Sequence, residues 1–343
     1  MPLSLETMNY TAFTSLTEGL EAIEQYQRER RIQDAERAAQ YIDRALRQDP
    51  HYGLAVLYKG VVLDMTGRSA DAVAYFARIL HECPDPQVTL KARFNLGVAN
   101  YHRYSHKYLV LAQGYFEEVI RTAADASLRD IARAYLAQTH AMWMIPSPQQ
   151  LPEPGQPPSS GLVRDIREHF RQCRRCVREI RRAPGGSNSV AATCANALGM
   201  AFMYSTDYIA RTPLDKRQRR LRLSAEALQR ADRLLPGDWA NTCDLGSVHL
   251  RLGVLARDAG EPTTAVDGHF EQARQHLQEV VDTLRPGYGF ALYELGRLHR
   301  VWGRSKEASE YFAKAMEVPE RYSDVSDARV NREQARINDT TYP

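Results

Sequence analysis

The residues best suited to metal chemistry lie together in the stretch HFRQCRRC, residues 169–176. His169, Cys173 and Cys176 are spaced i, i+4 and i+7, which places their side chains on one face of a helix. Imidazole and thiolate are ligands that Zn²⁺ prefers, so a metal site is one interpretation of this spacing. The sequence offers no second Cys-x-x-C pair and no fourth ligand nearby. A core stripe explains Cys173 without a metal, and its members are Ile166, Phe170, Cys173, Val177 and Ile180. We therefore predict no metal and no cofactor.

Motifs that carry catalysis are missing from the chain. It contains no G-x-x-x-x-G-K-[ST] phosphate-binding loop, no G-x-S-x-G nucleophile turn and no H-E-x-x-H metal motif. The glycines of PGYGF, residues 286–290, follow no predicted strand and indicate a turn. Because a catalytic constellation usually leaves a recognisable motif, we predict that the protein is not an enzyme and has no catalytic residues.

Positive charge is concentrated in the middle of the chain. Residues 162–222 carry 14 basic and 5 acidic residues, although the whole chain has a net charge of only +3. The candidate basic patch comprises Arg171, Arg174, Arg175, Arg178, Arg217, Arg219 and Arg220. Such a concentration could attract nucleic acid, an acidic protein surface or anionic lipid. The alternative is a solvated helix face in a chain whose 45 basic residues are mostly arginine, and the sequence leaves both interpretations open.

Two distant stretches of the chain share one spacing of small and apolar residues. This spacing predicts the helices that position the residues discussed above. In each, a glycine is followed by a small residue after 12 positions, an aromatic 4 positions later and a small or apolar residue 3 later. The two sets are Gly60, Ala72, Phe76, Ile79 and Gly296, Ala308, Phe312, Ala315. The spacing predicts a hairpin of two helices, A and B, that approach closely at the glycine. We expect Gly67 and Gly303 to end the A helices as left-handed caps, and Ser69 and Ser305 to be the N-caps of the B helices.

Related spacing recurs along most of the chain and predicts about seven hairpins. They cover residues 18–50, 52–84, 88–124, 127–184, 187–236, 238–286 and 288–320. Sustained apolar–polar alternation between turns is absent, so strands are not expected. Residues 146–161 contain six prolines, which break helices, so we expect an exposed loop within one repeat. The predicted divisions are an N-terminal segment (1–17), repeats (18–145), the Pro-rich loop (146–161), divergent then regular repeats (162–320) and a polar tail with a capping helix (321–343).

These hairpins resemble the tetratricopeptide repeat, a helix–turn–helix unit of 34 residues that ends in a proline. The resemblance rests on Leu295–Gly296, on the small–aromatic–small pattern in the B helices and on the closing prolines Pro84 and Pro319. It implies an all-α, right-handed α-solenoid whose A helices line a concave face. By position in the repeat, the candidate partner-binding residues on that face are Phe94, Tyr101, Met200, Met203, Tyr293, Arg297 and Arg300. Alternatively, Phe94 and Tyr293 pack against the next hairpin.

The repeat family serves mainly in protein interactions, so the resemblance implies a non-catalytic adaptor or regulatory subunit that binds a partner protein or peptide. A nucleic-acid-binding module that uses residues 162–222 is the alternative. No apolar run is long enough to span a membrane, and the first residues lack the pattern of a signal peptide. Five scattered cysteines suit a reducing compartment, so we expect a cytoplasmic protein. The sequence specifies neither the partner nor the oligomeric state.

Overall fold

The computed structural model describes residues 2–4, 6–7, 9–29, 31–103, 105–147, 150, 157–180, 187–208, 213–318, 330–331 and 333–334. Within these residues it contains fourteen α-helices, and the only strand-like pairing is one bridge between Ser4 and Tyr52. The helices are α1 (Tyr10–Glu29), α2 (Ile32–Gln48), α3 (Gly53–Met65), α4 (Ser69–Glu82), α5 (Pro86–Tyr101), α6 (His106–Thr122), α7 (Ala126–Met142), α8 (Ser160–Ile180), α9 (Asn188–Tyr208), α10 (Leu214–Leu234), α11 (Trp239–Asp258), α12 (Thr263–Glu279), α13 (Gly289–Val301) and α14 (Ser305–Glu317). The predicted all-α solenoid of helical hairpins is confirmed.

The chain divides into two compact units. Unit 1 comprises Met1–Ala132 and Thr283–Arg285, and unit 2 comprises Arg133–Asp282 and Pro286–Pro343. The odd-numbered helices are the A helices and the even-numbered helices are the B helices of successive hairpins. No helix in the described part of the chain is long and apolar enough to cross a membrane. The domain boundaries predicted from the sequence stay predictions.

A glycine on the A helix fixes the register of most hairpins. A Cβ atom built on Gly296 would lie 2.5 Å from Cδ1 and Cε1 of Phe312, closer than two carbon atoms can pack. The same relation joins Gly19 to Ile42, Gly60 to Phe76, Gly97 to Phe116, Gly199 to Leu228 and Gly246 to Leu277, at 2.5–2.9 Å. The predicted alignment of glycine with a large B-helix residue is therefore present in six hairpins.

The B helices bury the large residue and its small neighbours. Phe76, Phe116, Phe270 and Phe312 are among the largest side chains that are fully buried. Burial of one such aromatic side chain stabilises the fold by about 1.5–3 kcal/mol. Phe170 of α8 differs, because it is only half-buried and its ring packs edge-on against Phe202 of α9. The spacing therefore predicts the buried aromatic residue correctly at Phe76 and Phe312, whereas the predicted core position of Phe170 is wrong, because its ring lies at the edge of the core.

The turns confirm one prediction and correct another. Gly67 and Gly303 adopt φ angles of 81° and 79°, the left-handed conformation that favours glycine. Ser69 and Ser305 are the first residues of α4 and α14 rather than N-caps. The Ser69 hydroxyl instead donates a hydrogen bond of 2.6 Å to Oδ1 of Asp64. The N-cap prediction was wrong because the short turn carries the serine into the helix, where a nearby carboxylate is the stronger acceptor.

The middle hairpins accommodate their extra residues by lengthening. Helices α8, α9 and α10 have 21 residues each, and α12 continues into a π-helical turn, Val280–Leu284. Half of the predicted Pro-rich loop, residues 148–149 and 151–156, lies outside the described residues. Most of the predicted tail does too. Its described part is helical and buries Val330.

Candidate functional site

The A helices of unit 1 share one set of accessible positions in the repeat. These positions lie six and two residues before, and one and five residues after, the glycine that faces the B helix. We call this set the unit 1 A face. On α1 it comprises Phe13, Thr17, Leu20 and Glu24; on α3 Leu54, Tyr58, Val61 and Met65; and on α5 Lys91, Asn95, Val98 and His102. Eleven of these twelve residues are exposed or half-buried, and Val98 is 9% exposed.

Neighbouring A helices hold this face together. Helices α1 and α3 contribute to one buried cluster that includes Leu16 and Val62. At the other end, Nδ1 of His102 lies 3.0 Å from Oδ2 of Asp64 on α3. Burial by itself would raise the pKa of Asp64, but His102 and the Ser69 hydroxyl outweigh it and lower the pKa. The carboxylate therefore stays charged and anchors α5 to α3.

The face on α3 is the most apolar part of the set. Leu54, Tyr58, Val61 and Met65 follow at i, i+4, i+7 and i+11 and are all half-buried. Sequence reasoning did not select these residues, although a signal was present. The segment GLAVLYKGVVLDM is apolar on more of its circumference than one core stripe requires. The additional apolar side chains form this stripe, and each of them also packs against a buried cluster of unit 1.

The equivalent positions of unit 2 are mostly buried and polar. Asp244 and Arg251 of α11 and Glu294 of α13 occupy the positions that Tyr58, Met65 and Asn95 occupy in unit 1. Nη1 of Arg251 donates to Oε2 of Glu294 at 3.1 Å, and Nη1 of Arg297 donates to Oε1 at 2.6 Å. Another contact joins Nδ2 of Asn196 on α9 to Oδ2 of Asp244 at 3.0 Å. Side chains of unit 2 therefore fill their own A face.

Burial and charge set the protonation of this network. Burial raises the pKa of Asp244 to about 7, although Asn196 and Arg251 oppose the shift. Burial would also raise the pKa of Glu294, but Arg297 and Arg251 more than offset it and the pKa is lowered. Glu294 is 1% exposed, so its charge depends on both arginines.

The predicted partner-binding residues lie in different environments. Tyr101, Met200, Met203 and Tyr293 are buried. Phe94 is half-buried, with its ring centroid 6.0 Å from that of Phe116. Arg297 pairs with Glu294, and Nη2 of Arg300 lies 3.0 Å from Oε2 of Glu333 in the tail. Their role in partner binding stays a prediction.

The residues considered for metal chemistry lie in the α7–α8–α9 core. The Cys173 thiol is fully buried and donates to the carbonyl oxygen of Ala197 at 3.6 Å. Burial raises the pKa of Cys176 to about 11, so both cysteines are protonated thiols at neutral pH. His169 stacks on Trp143 with a centroid distance of 5.6 Å. Within the described residues, no group of three or more histidine, cysteine or acidic side chains could hold a metal ion.

The candidate basic residues occupy two B helices of unit 2. Arg171, Arg174, Arg175 and Arg178 are exposed on α8, and Arg219 is exposed on α10. Arg217 and Arg220 of α10 are half-buried. Two of the α8 arginines have acidic neighbours on the same helix, because Arg171 lies 3.0 Å from Glu168 and Arg175 lies 3.0 Å from Glu179.

A tetratricopeptide repeat family model matches residues 22–85, which include α2, α3 and α4. With the hairpin register described above, this match confirms the resemblance. The matched segment is a tetratricopeptide repeat, and hairpins elsewhere in the chain share its glycine register. No curated protein matches it.

Among solved structures, a tetratricopeptide repeat protein from Parabacteroides merdae is 8% identical, with 96% of this chain and 99% of that chain covered and a TM-score of 0.48. A thermophilic protein of the same repeat class from Thermus thermophilus is 17% identical, with coverage of 73% and 98% and a TM-score of 0.43. The human IFIT1 dimer with m7Gppp-AAAA is 15% identical, with coverage of 91% and 69% and a TM-score of 0.40. At these TM-scores the similarities carry no argument about function.

Proposed function

We propose that the protein is an adaptor or regulatory subunit that binds a segment of a partner protein on the unit 1 A face. Tetratricopeptide repeats are in general protein-interaction scaffolds and non-catalytic. The observation that carries the proposal is the accessible, half-buried apolar stripe Leu54, Tyr58, Val61 and Met65 on α3. Apolar side chains at one helical spacing, flanked by polar residues, suit the apolar face of an amphipathic helix.

The rim of the face supports the same proposal. Glu24 on α1 and Lys91 on α5 are exposed at its two sides, so charges of opposite sign flank the apolar centre. A polar rim around an apolar centre is the usual composition of a binding interface. Phe13 of α1 is 53% exposed and is an aromatic side chain of the kind that is enriched at interfaces. We place the action of this subunit in the cytoplasm, as the sequence predicts.

Affinity capture from the native host tests the proposal. The face variant combines Phe13→Ser with Tyr58→Ser. The control combines Val110→Ser with Leu111→Ser on α6, a B helix of the same unit, where the two side chains are 57% and 45% exposed. We expect quantitative mass spectrometry to find a protein that wild type and control capture and the face variant loses. With that partner purified, the face variant should weaken binding by about 2 kcal/mol or more. If all three proteins capture the same partners equally, the proposal is wrong.

A further inference from the structure

Helix α8 carries four arginines in a line on its exposed surface. Arg167, Arg171, Arg174 and Arg178 follow at i, i+4, i+7 and i+11, and all four are exposed. At 1.5 Å per residue, this arginine stripe extends over about 16 Å. Its spacing keeps every guanidinium group on the same side of the helix.

The stripe is separated from the core, and of its four arginines Arg171 alone contacts an acidic residue within the described part of the chain. At about 100° per residue, the stripe lies about 120° around the axis from the buried residues Ile166 and Cys173. The acidic residues Asp165, Glu168 and Glu179 lie on the opposite flank. Arg171 contacts Glu168, but its side chain remains 69% exposed. Within the described residues, no ion pair involves Arg167, Arg174 or Arg178.

The chemistry of the stripe favours a polyanion over a folded protein surface. A protein interface usually has an apolar centre, whereas the large hydrophobic side chains that are exposed in the described part of the chain all lie on helices other than α8. A guanidinium group donates two parallel hydrogen bonds to a phosphate. A straight row of four such groups matches a ligand that repeats one anionic group along a line.

We propose that the arginine stripe of α8 binds the phosphodiester backbone of a nucleic acid strand, without reading its bases. This site is separate from the unit 1 A face, and the inference does not depend on the proposed protein partner. Contacts to phosphate carry no sequence information, so binding is expected to be independent of base sequence. RNA and DNA strands share this backbone and should bind alike.

Salt dependence measures the number of phosphates that are contacted. For a single strand, each contact contributes about −0.7 to the slope of log affinity against log salt concentration. Four contacts therefore predict a slope of about −2.8 for the wild-type chain. Removal of two contacts should halve the slope to about −1.4 and, with the affinity at about 1 M salt unchanged, lower the affinity at about 50 mM salt by roughly 60-fold.

Fluorescence anisotropy with labelled, mixed-sequence single-stranded RNA and DNA tests the proposal on the full chain. The stripe variant is Arg167→Gln with Arg174→Gln. The control, Arg164→Gln with Arg175→Gln, removes the same charge from the same helix. Arg164 lies 3.7 Å from Asp165, and Arg175 lies 3.0 Å from Glu179. Because all four side chains are exposed, both variants should melt near the wild-type temperature.

We expect the stripe variant to halve the salt slope and the control to retain it. Absence of binding by wild type at about 50 mM salt would overturn the proposal. An equal loss of affinity in both variants would also overturn it, because binding would then depend only on the net charge of the helix. If labelled polyglutamate binds as tightly as RNA, the stripe recognises an acidic polypeptide and the proposal is wrong.

Discussion

Because Gly296 lies close to Phe312, substitution by alanine should affect the stability of the protein differently at Gly296 and at Gly268. Gly296→Ala would place a methyl group 2.5 Å from two atoms of the Phe312 ring, which is fully buried. Gly268 of α12 lies in the same unit, and a Cβ atom there would meet nothing within 4 Å. Both glycines are within helices, so alanine at either position gains about 1 kcal/mol of helix propensity.

The difference between the two variants isolates the steric cost. Overpacking of a filled core costs about 1–3 kcal/mol. Gly268→Ala should therefore stabilise the protein by about 1 kcal/mol. The free energy of unfolding of the Gly296→Ala variant should be about 1–3 kcal/mol lower than that of the Gly268→Ala variant. For a unit of this size, 1 kcal/mol corresponds to a change in Tm of about 2–4 °C. Gly296→Leu, with its larger side chain, should cost more than Gly296→Ala.

Thermal unfolding followed by far-UV circular dichroism measures both variants against wild type. A third variant tests the assigned cause. Phe312→Val removes the ring atoms that the new methyl group would meet, so Gly296→Ala should lose its steric penalty in that background. If Gly296→Ala and Gly268→Ala raise Tm equally, the register of the last hairpin is incorrect.

Three further predictions concern the buried polar network of unit 2. Glu294→Gln should destabilise the protein by about 3–5 kcal/mol, because it leaves the buried Arg251 and the half-buried Arg297 without their carboxylate. Glu271→Gln, at an ion pair that is about 40% exposed, should cost at most about 1 kcal/mol. Chemical denaturation compares the two variants. The pKa of Asp244 is raised from 3.8 to about 7, so its contribution to stability is lost as pH rises from about 4 to about 7, and Asp244→Asn should gain stability relative to wild type over that range. The pKa of His249 is lowered from 6.5 to about 4 by burial and two neighbouring histidines, so its contribution is lost as pH falls from about 6.5 towards 4. His249→Gln should reduce the dependence of Tm on pH over that range. An unchanged pH profile would contradict the assignment of this dependence to His249.

The sequence predicted the hairpins well because their determinants are local. The spacing from Gly60 to Phe76 spans two helices and one turn, and the glycine and the ring must meet whenever those helices pair. The turn glycine Gly67 likewise depends only on adjacent backbone. The N-cap prediction at Ser69 failed because it depended on a carboxylate from the preceding helix, and spacing along one helix does not encode that contact.

The sequence by itself determined the repeat architecture and the concentration of arginine on α8. Only the tertiary structure decided which A face is accessible. Tyr58 and Glu294 occupy related positions in the repeat, yet Tyr58 is half-buried on an accessible face and Glu294 is enclosed by Arg251 and Arg297. Arg251 lies 43 residues before its carboxylate partner. Burial at these positions depends on side chains from neighbouring hairpins, so the same local spacing produces an accessible apolar face in unit 1 and a buried ion network in unit 2.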